Sequence, residues 1–295
     1  MFKTVSIKDI DMVAAQNYLL HAIAPRPICF ASTIDKEGNV NLSPFSFFNV
    51  FSYRPAIVVF SPSRRGRDNT TKHTLQNIEE VPEVAINIVS YDIIQQMNLS
   101  SCEYPKGVDE FIKAGFTKEA SQIIKPPRVK ESPVQLECKV LEIKALGTEA
   151  GAGNLVISEV VLMHINENIL NEKGNIDQTK LDLAARLGGN WYTRANASTI
   201  FEIEKPNTQL GIGLDALPEN IRNSKIFTGN NLGQLANIHE MPFIDPAFEN
   251  EKLKSIFQYF AADPEEMENE LHILAKDLLD SGKIKEAWQV LLALN

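Results

Sequence analysis

Residues 27–50 read PICFASTIDKEGNVNLSPFSFFNV, and their pattern indicates the fold class. Two apolar, β-rich runs flank DKEGN at 35–39, a cluster of turn-forming residues, which is typical of antiparallel strands joined by a hairpin. Similar short runs follow as AIVVFS at 56–61 and VAINIVS at 84–90. Two longer β candidates come later, VQLECKVLEIKAL at 134–146 and NLVISEVVLMHI at 154–165. The sequence therefore predicts a mainly β core of antiparallel strands.

Helical patterns interrupt this core at TKHTLQNIEEV (71–81), YDIIQQMN (91–98) and VDEFIKAG (108–115). Because they do not alternate regularly with the strands, a doubly wound parallel sheet is disfavoured. A closed or sandwich-like β core with peripheral helices is favoured, and we expect a barrel. The apolar residues of 134–146 alternate imperfectly, which predicts a twisted, partly bulged strand.

The glycines of Gly151-Ala152-Gly153 lie between the two long β candidates. They match the first part of a dinucleotide-binding fingerprint, but that fingerprint requires a strand, the loop and then a helix. We therefore predict a hairpin turn at this position.

The last part of the chain, residues 246–295, differs in kind. Asp263 followed by Pro264 is a helix start with an N-cap and a proline at the first helical position. An apolar stripe follows, Ser281-Gly282 ends that helix, and a second helical pattern begins at Ile284. We predict a domain at 1–245 and a C-terminal helical extension at 246–295 that serves packing or oligomerisation.

Composition excludes several classes of protein. The 295 residues carry 29 Lys and Arg against 38 Asp and Glu, a net charge of −9, which argues against binding to nucleic acid or to anionic lipid. No apolar run reaches the roughly 18 residues that cross a bilayer, and MFKTVSIKDIDM at the start lacks the apolar stretch of a signal peptide. The three cysteines are scattered, so we expect reduced thiols, no metal site and a cytoplasmic protein.

The segment Asn41–Asn49 is rich in small hydroxyl residues beside aromatics. Such a strand can present Ser and Asn groups to a flat heteroaromatic ring while Phe side chains enclose it. A serine-rich edge strand with buried phenylalanines explains the same residues equally well.

A second cluster, SPSRRGRDNTTKHT at 61–74, directly follows an apolar strand and leads into a predicted helix. Its four cationic side chains before His73, its hydroxyls and the N–H groups of a helix start would favour a phosphate. A solvated basic loop is the competing interpretation.

Taken in order, these motifs resemble the flavin reductase-like FMN-binding split-barrel family, which includes the flavoredoxins. The resemblance covers about residues 15–205. The similar elements are Arg26-Pro27, Ser32-Thr33, Asn41–Asn49, Lys72-His73-Thr74, Asn98–Ser101, Tyr104–Phe111, Pro127–Val129, Leu136–Cys138, Ile157–Val160 leading to His164, and Leu187–Tyr192.

The resemblance implies a six-stranded antiparallel split β-barrel that forms a homodimer, with FMN near the subunit interface. The isoalloxazine and ribityl chain would be lined by Arg26, Pro27, Ser32, Thr33, Asn41, Ser43, Pro44, Ser46, Phe47 and Asn49. Phosphate would be held by Ser61, Arg67, Lys72 and Thr74, and the same flavin would be approached by Asn98, Ser100 and Ser101. The family commonly has Lys-Asp-Thr where this chain has Lys72-His73-Thr74.

The expected function is an FMN-binding oxidoreductase that takes a hydride from NADH or NADPH and passes electrons to a protein or small-molecule acceptor. The flavin carries the chemistry, so no acid or base residue is required. His164 is a candidate near the nicotinamide, beside a purely structural role. Two alternatives stay open: an FMN-binding electron-transfer protein without NAD(P)H activity, and a degenerate flavin site with a structural helical tail.

Overall fold

The structure, a computed structural model, describes residues 1–203 and 210–293. The chain divides into two compact units, Met1–Phe201 and Glu202–Asn295. The first unit is β-rich and the second is helical, and each has a buried core of its own. We describe them separately as the N-terminal and the C-terminal unit.

The elements of the N-terminal unit follow the predicted order closely. Its strands are β1 (Cys29–Ile34), β2 (Val40–Phe45), β3 (Phe48–Tyr53), β4 (Ala56–Phe60), β5 (Glu83–Ile88), β6 (Lys118–Glu119), β7 (Arg128–Val129), β8 (Val134–Ala145), β9 (Asn154–Ile165), β10 (Leu183–Arg186) and β11 (Tyr192–Ala195). Its α-helices are α1 (Met12–Ala22), α2 (His73–Glu80), α3 (Ile94–Ser100), α4 (Glu110–Ala114) and α5 (Gln178–Leu181).

The main sheet has seven antiparallel strands in the order β2-β1-β5-β8-β9-β4-β3, where the family resemblance implies six. Its two edge strands, β2 and β3, are consecutive in the chain and joined by Ser46 and Phe47 alone. Three peptide units reach at most about 11 Å, so the end of β2 lies close to the start of β3 although the two edge strands do not pair. The sheet is therefore a curled barrel that is split between β2 and β3.

The split explains why the run VNLSPFSFFNV does not form the single strand that the sequence predicts. Residues 40–45 and 48–50 belong to opposite edges of the sheet. Pro44 has no N–H to donate, and an edge strand tolerates this because one of its sides has no neighbour. The predicted bulge in the run at 134–146 is confirmed by register shifts of β8 against β9 between Glu137 and Cys138 and between Val140 and Glu142.

The core of the N-terminal unit consists of two buried clusters on opposite faces of β1. Cys29 and Ala31 belong to one cluster, with alternate residues of β5 and β8 and with Leu75 and Ile78 of α2. Phe30, between them in sequence, belongs to the other cluster with residues of α3 and α4. Successive strand residues point to opposite faces, and here both faces of β1 are covered by a cluster. This two-sided burial explains why β1 is a continuous run of mostly apolar residues and does not alternate with polar ones.

The C-terminal unit contains α6 (Glu219–Arg222), α7 (Gly229–Ala236), α8 (Glu251–Tyr259), α9 (Pro264–Asp280) and α10 (Ile284–Leu292). Asp263 caps α9 by accepting from the Glu266 N–H at 3.1 Å, and Pro264 is its first residue, as the sequence predicts. The domain boundary differs, however. Leu217, Ile221 and Leu235 share one core with the tail helices around Trp288, so the predicted boundary at residue 245 lies within this unit.

Within residues 1–203 and 210–293, no helix combines the length and the apolarity needed to cross a bilayer. Cys29, Cys102 and Cys138 are all free, and the first and last of them are buried.

Candidate functional site

Three adjoining cavities of about 640, 190 and 20 Å³ form one continuous groove in the N-terminal unit. The first two share the link between β2 and β3, including Pro44 and Ser46, and the first and third share Arg65 and Lys72. The largest volume lies within the range usual for small-molecule and cofactor sites. The walls come from α1, the β2–β3 link, the segment at 61–74, the segment at 98–104 and Arg186.

One end of the groove is cationic. The loop at 61–74, which carries the cations, is stabilised by hydrogen bonds between its own residues. Arg64 Nε donates to Asn69 Oδ1 at 2.6 Å, and Arg65 Nη1 donates to Thr70 Oγ1 at 2.9 Å. The Asn69 side chain in turn donates to the Thr148 carbonyl at 3.0 Å. This segment is therefore a loop with internal hydrogen bonds that lines the groove, although Arg67 at its middle is 70% exposed.

Glu103 faces this cationic end. Its carboxylate lies 2.6 Å from Arg67 Nη2, 3.4 Å from Arg65 Nε and 3.9 Å from Lys72 Nζ. Burial lowers the pKa of Lys72, and the neighbouring Arg65 lowers it further. Burial also lowers the pKa of His73, with added repulsion from Arg65, Lys106 and Lys72. Asp68 Oδ2 lies 3.3 Å from Arg67 Nε as well, so the groove concentrates positive charge that Glu103 and Asp68 only partly balance.

Several buried polar atoms along the groove have no hydrogen-bond partner within the protein. They are Ser61 Oγ beside the largest cavity, Asn41 Nδ2 and Thr74 Oγ1 beside the smallest, and Arg65 Nε, which lies 3.4 Å from Glu103 Oε1 without forming a hydrogen bond. A buried polar group without a partner costs about 1–3 kcal/mol. Hydroxyl, amide and guanidinium groups gathered beside lysine and arginine match the oxygens of a phosphate ester and a polyol chain.

A close backbone approach holds Ser61 in position. The loop at 151–153 is the β8–β9 hairpin turn that the sequence predicts, and its Ala152 carbonyl accepts from the Arg64 N–H at 2.8 Å. A Cβ atom at Gly153 would lie 2.6 Å from Ser61 Oγ. Glycine is therefore required here because the hydroxyl occupies the space of a side chain.

Arg26 combines a place in the groove lining with bonds to the backbone. It lines the largest cavity, but its Nη1 donates to the Leu20 and Ile23 carbonyls at 2.7 and 2.5 Å, and its Nη2 donates to the Leu187 carbonyl at 2.8 Å. These bonds satisfy carbonyls at the end of α1. Arg26 thus fastens α1, which forms one wall of the groove.

The structure brings most of the residues expected from the sequence to this groove: Arg26, Asn41, Ser43, Pro44, Ser46, Phe47, Ser61, Arg67, Lys72, Thr74, Asn98, Ser100 and Ser101. It does not bring four others there. Pro27 and Asn49 are exposed outside the groove lining, while Ser32 and Thr33 are fully buried in β1. Thr33 Oγ1 accepts from Asn77 Nδ2 at 3.2 Å.

His164 lies on β9, outside the lining of the groove. Its Nε2 is 2.8 Å from Oε1 of the fully buried Glu137. The same carboxylate accepts the backbone N–H groups of Gln122 and Ile123 at 2.8 and 2.7 Å. These partners give His164 a structural setting.

Sequence reasoning missed Gln16, Leu20, Glu103 and Arg186, all of which line the groove. Gln16 and Leu20 belong to α1, whose start carries a signal: Asp11 is an N-cap residue whose side chain accepts from the Ala14 N–H at 2.7 Å. Glu103 and Arg186 directly adjoin segments that carry the family resemblance, but no local chemical pattern marks these two side chains themselves.

Comparison with known proteins matches residues 21–181 to the Flavin reductase like domain. An uncharacterized protein of Aquifex aeolicus (strain VF5) is 36% identical over 189 residues, which are 64% of this chain and 94% of that protein. Nitrilotriacetate monooxygenase component B from Bacillus cereus has 27% identity and a TM-score of 0.64, over 69% of this chain and 99% of its own. A split barrel domain protein from Shewanella frigidimarina NCIMB 400 has 25% identity and a TM-score of 0.58, over 68% and 96%.

Proposed function

This chain belongs to the flavin reductase-like family, and from that premise we propose that it is an FMN-binding oxidoreductase in which NADH or NADPH reduces the flavin and a further acceptor takes the electrons. The observation that carries the proposal is the set of buried, unpartnered polar atoms at the cationic end of the groove. They offer hydrogen bonds where a phosphate ester would need them.

The residues of the groove divide into two groups by chemistry. Lys72, Arg65 and Arg67 supply charge for the phosphate, and Ser61 and Thr74 supply hydroxyls. Ser46, Pro44 and Phe45, with Ile28 and Tyr192, form the wall of the narrower cavity, which suits a flat ring. Asn98, Ser100 and Ser101 from α3 and its end complete the lining.

FMN, when bound, supplies the hydride acceptance and the one- or two-electron transfer that no side chain can perform. The chain has to bind it, orient it and exclude water from part of it. Catalysis then needs no titratable residue, and we assign His164 a structural role because its ring pairs with the buried Glu137. The Bacillus cereus neighbour is named as a component of a monooxygenase, which supports a second protein or small molecule as the electron acceptor.

We further propose that the chain is a homodimer. The edge strand β3 continues directly from Phe47 in the groove and exposes Phe51 and Tyr53, which are 68% and 92% exposed. An exposed apolar strand at a sheet edge invites pairing or packing with another chain. A second copy on this strand would adjoin the groove.

The three free cysteines support a reducing compartment such as the cytoplasm.

The decisive experiment is an absorption spectrum of the purified protein, taken before and after adding FMN and then NADH or NADPH without oxygen. We expect a perturbed flavin spectrum on binding, followed by bleaching when the nicotinamide is added. Riboflavin, which lacks the phosphate, is the matched control and should bind much more weakly. A bound flavin that stays oxidised with both nicotinamides would favour the electron-transfer alternative, and no binding of FMN would overturn the proposal.

A further inference from the structure

Among the described residues that line the largest cavity, Glu103 is the one with an acidic side chain. A phosphate bound there would compete with it for the neighbouring cations. Its two carboxylate oxygens are shared among three cations, with Arg67 Nη2 at 2.6 Å from Oε2 and with Arg65 Nε and Lys72 Nζ at 3.4 and 3.9 Å from Oε1. These are the same groups that we propose for the phosphate.

A phosphate and the Glu103 carboxylate would compete for these cations. A phosphate dianion beside Arg67 and Lys72 would lie within a few ångströms of the carboxylate, and like charges at that separation repel. The Glu103 side chain is 39% exposed, so it can leave by rotating into solvent without opening the core. Arg65, in contrast, is held by its own loop, since its Nη1 donates to Thr70 Oγ1 at 2.9 Å, whereas the Arg67 side chain is 70% exposed and can move with its partner.

We propose that Glu103 is a counterion which the phosphate of FMN displaces, and that this exchange sets the affinity for the phosphate-bearing flavin. The inference rests on the proposed function, because it takes the groove as the FMN site. In the free protein, Glu103 relieves the repulsion among Arg65, Arg67 and Lys72. On binding, one anion replaces another, so the phosphate gains less than it would against three unpaired cations.

The test is the dissociation constant of FMN for Glu103→Gln, measured by quenching of flavin fluorescence. Partly exposed ion pairs contribute little individually, so we expect FMN to bind about three- to tenfold more tightly. Riboflavin has no phosphate and should bind equally well to both proteins. Glu172→Gln removes the same charge at an exposed site outside the groove and should leave both constants unchanged.

Other outcomes would overturn the inference in distinct ways. Weaker FMN binding by Glu103→Gln, with the same result for Glu103→Ala, would make Glu103 a positioning residue that aligns the cations. An equal gain for riboflavin, or for Glu172→Gln, would show a general charge effect. If the unsubstituted protein binds FMN and neither Glu103 variant changes its affinity, the displacement idea alone fails. If the unsubstituted protein binds no FMN, the proposed function fails and takes this inference with it.

Discussion

Ser61 shows how a single hydroxyl in the groove depends on a residue far away in the sequence. Its backbone N–H donates to the Phe47 carbonyl at 2.9 Å, while its Oγ is buried and has no partner. Gly153, in the hairpin turn between β8 and β9, leaves the space that this hydroxyl fills. The hydroxyl therefore has a defined position and can still donate or accept a hydrogen bond with a ligand.

Gly153→Ala should weaken FMN binding because the new Cβ would lie 2.6 Å from Ser61 Oγ and push the hydroxyl aside. One hydrogen bond is worth about 0.5–1.5 kcal/mol, so the dissociation constant should rise about two- to tenfold. Gly147→Ala, in the same hairpin, is the control, since its Cβ would meet Ala152 Cβ at an ordinary 3.4 Å. Unchanged FMN affinity in a folded Gly153→Ala protein would remove Ser61 from the site.

Lys72→Ala should reduce FMN affinity by on the order of 1.5–3 kcal/mol if Lys72 makes a charge-assisted bond to the phosphate. Isothermal titration calorimetry with FMN and with riboflavin separates this bond from the contacts of the ring, because only FMN affinity should change. Lys173→Ala, an exposed lysine outside the groove, controls for net charge. Equal losses for both flavins would mean that Lys72 supports the fold of the groove and does not contact phosphate.

At single residues, placement beside the groove could be anticipated from the sequence where polar and basic side chains are concentrated locally. Lys72 and Thr74 stand in one basic, hydroxyl-rich segment, so their joint presence beside the groove could be anticipated. Ser32 and Thr33 belong to an equally suggestive stretch, but β1 is covered on both faces and buries them. Glu103 opposes the cations through a contact between distant segments, which no local pattern records.

Among the elements, the split between β2 and β3 has the largest consequence for the site. It places the Ser46-Phe47 link in the wall of the groove and leaves β3 as an exposed edge. The strands themselves were predictable, because alternation and turn residues are local. The break within the run at 40–50 was not, because it depends on which distant strands pair with each half: β1 with β2, and β4 with β3.

Phe51→Asp on β3 tests the proposed dimer. A fully buried phenylalanine contributes about 1.5–3 kcal/mol, and a carboxylate in its place would have to be desolvated, so the dimer should dissociate. Light scattering after size-exclusion chromatography measures the mass directly. Phe243→Asp, at a residue that is 86% exposed in the C-terminal unit, should keep the mass of the unsubstituted protein. A monomeric unsubstituted protein, or a dimeric Phe51→Asp protein, would contradict the assignment.

His272 should make the C-terminal unit sensitive to acid. It is buried in α9 against Phe227, with ring centroids 5.1 Å apart, and burial lowers its pKa below the ordinary 6.5. A lowered folded-state pKa means that the unfolded chain takes up the proton first as pH falls through 6.5. The stability is therefore fully present above that pH and decreases below it.

Thermal denaturation followed by far-ultraviolet circular dichroism between pH 7.5 and 5 measures this effect. We expect the helical transition to move to lower temperature as the pH falls, and His272→Phe, which retains an aromatic ring, to reduce that shift. His239→Phe is the control, at a histidine outside the buried core. An equal acid shift in His272→Phe would assign the sensitivity to other groups. His73 acts with the same sign in the N-terminal unit, since burial lowers its pKa as well.

The net negative charge and the residues that line the groove lie in different units of the molecule. The C-terminal unit carries 16 acidic against 8 basic residues, whereas the N-terminal unit, residues 1–201, carries 22 against 21. Nearly all of the net charge of −9 therefore resides outside the unit that contains the groove. An anionic flavin approaching the groove would meet a nearly neutral unit with a local cationic end.

A chain that ends at residue 203 should fold and bind FMN with the affinity of the full-length protein. The N-terminal unit has its own buried clusters, and every residue that lines the groove belongs to it. The Aquifex aeolicus relative supports this, since 94% of its length aligns with only 64% of this chain. Circular dichroism, fluorescence quenching by FMN and light scattering compare the two proteins.

The result also tests the task that the sequence predicts for the helical extension. Equal FMN affinity with a smaller oligomer would mean that the C-terminal unit acts in assembly, because its removal leaves the groove complete. Equal FMN affinity and an unchanged oligomer would mean that the C-terminal unit serves neither flavin binding nor assembly, which leaves contacts with other molecules or the packing of its own helices. Aggregation or loss of FMN binding would contradict the prediction, since the N-terminal unit would then need the helices to reach or keep its fold.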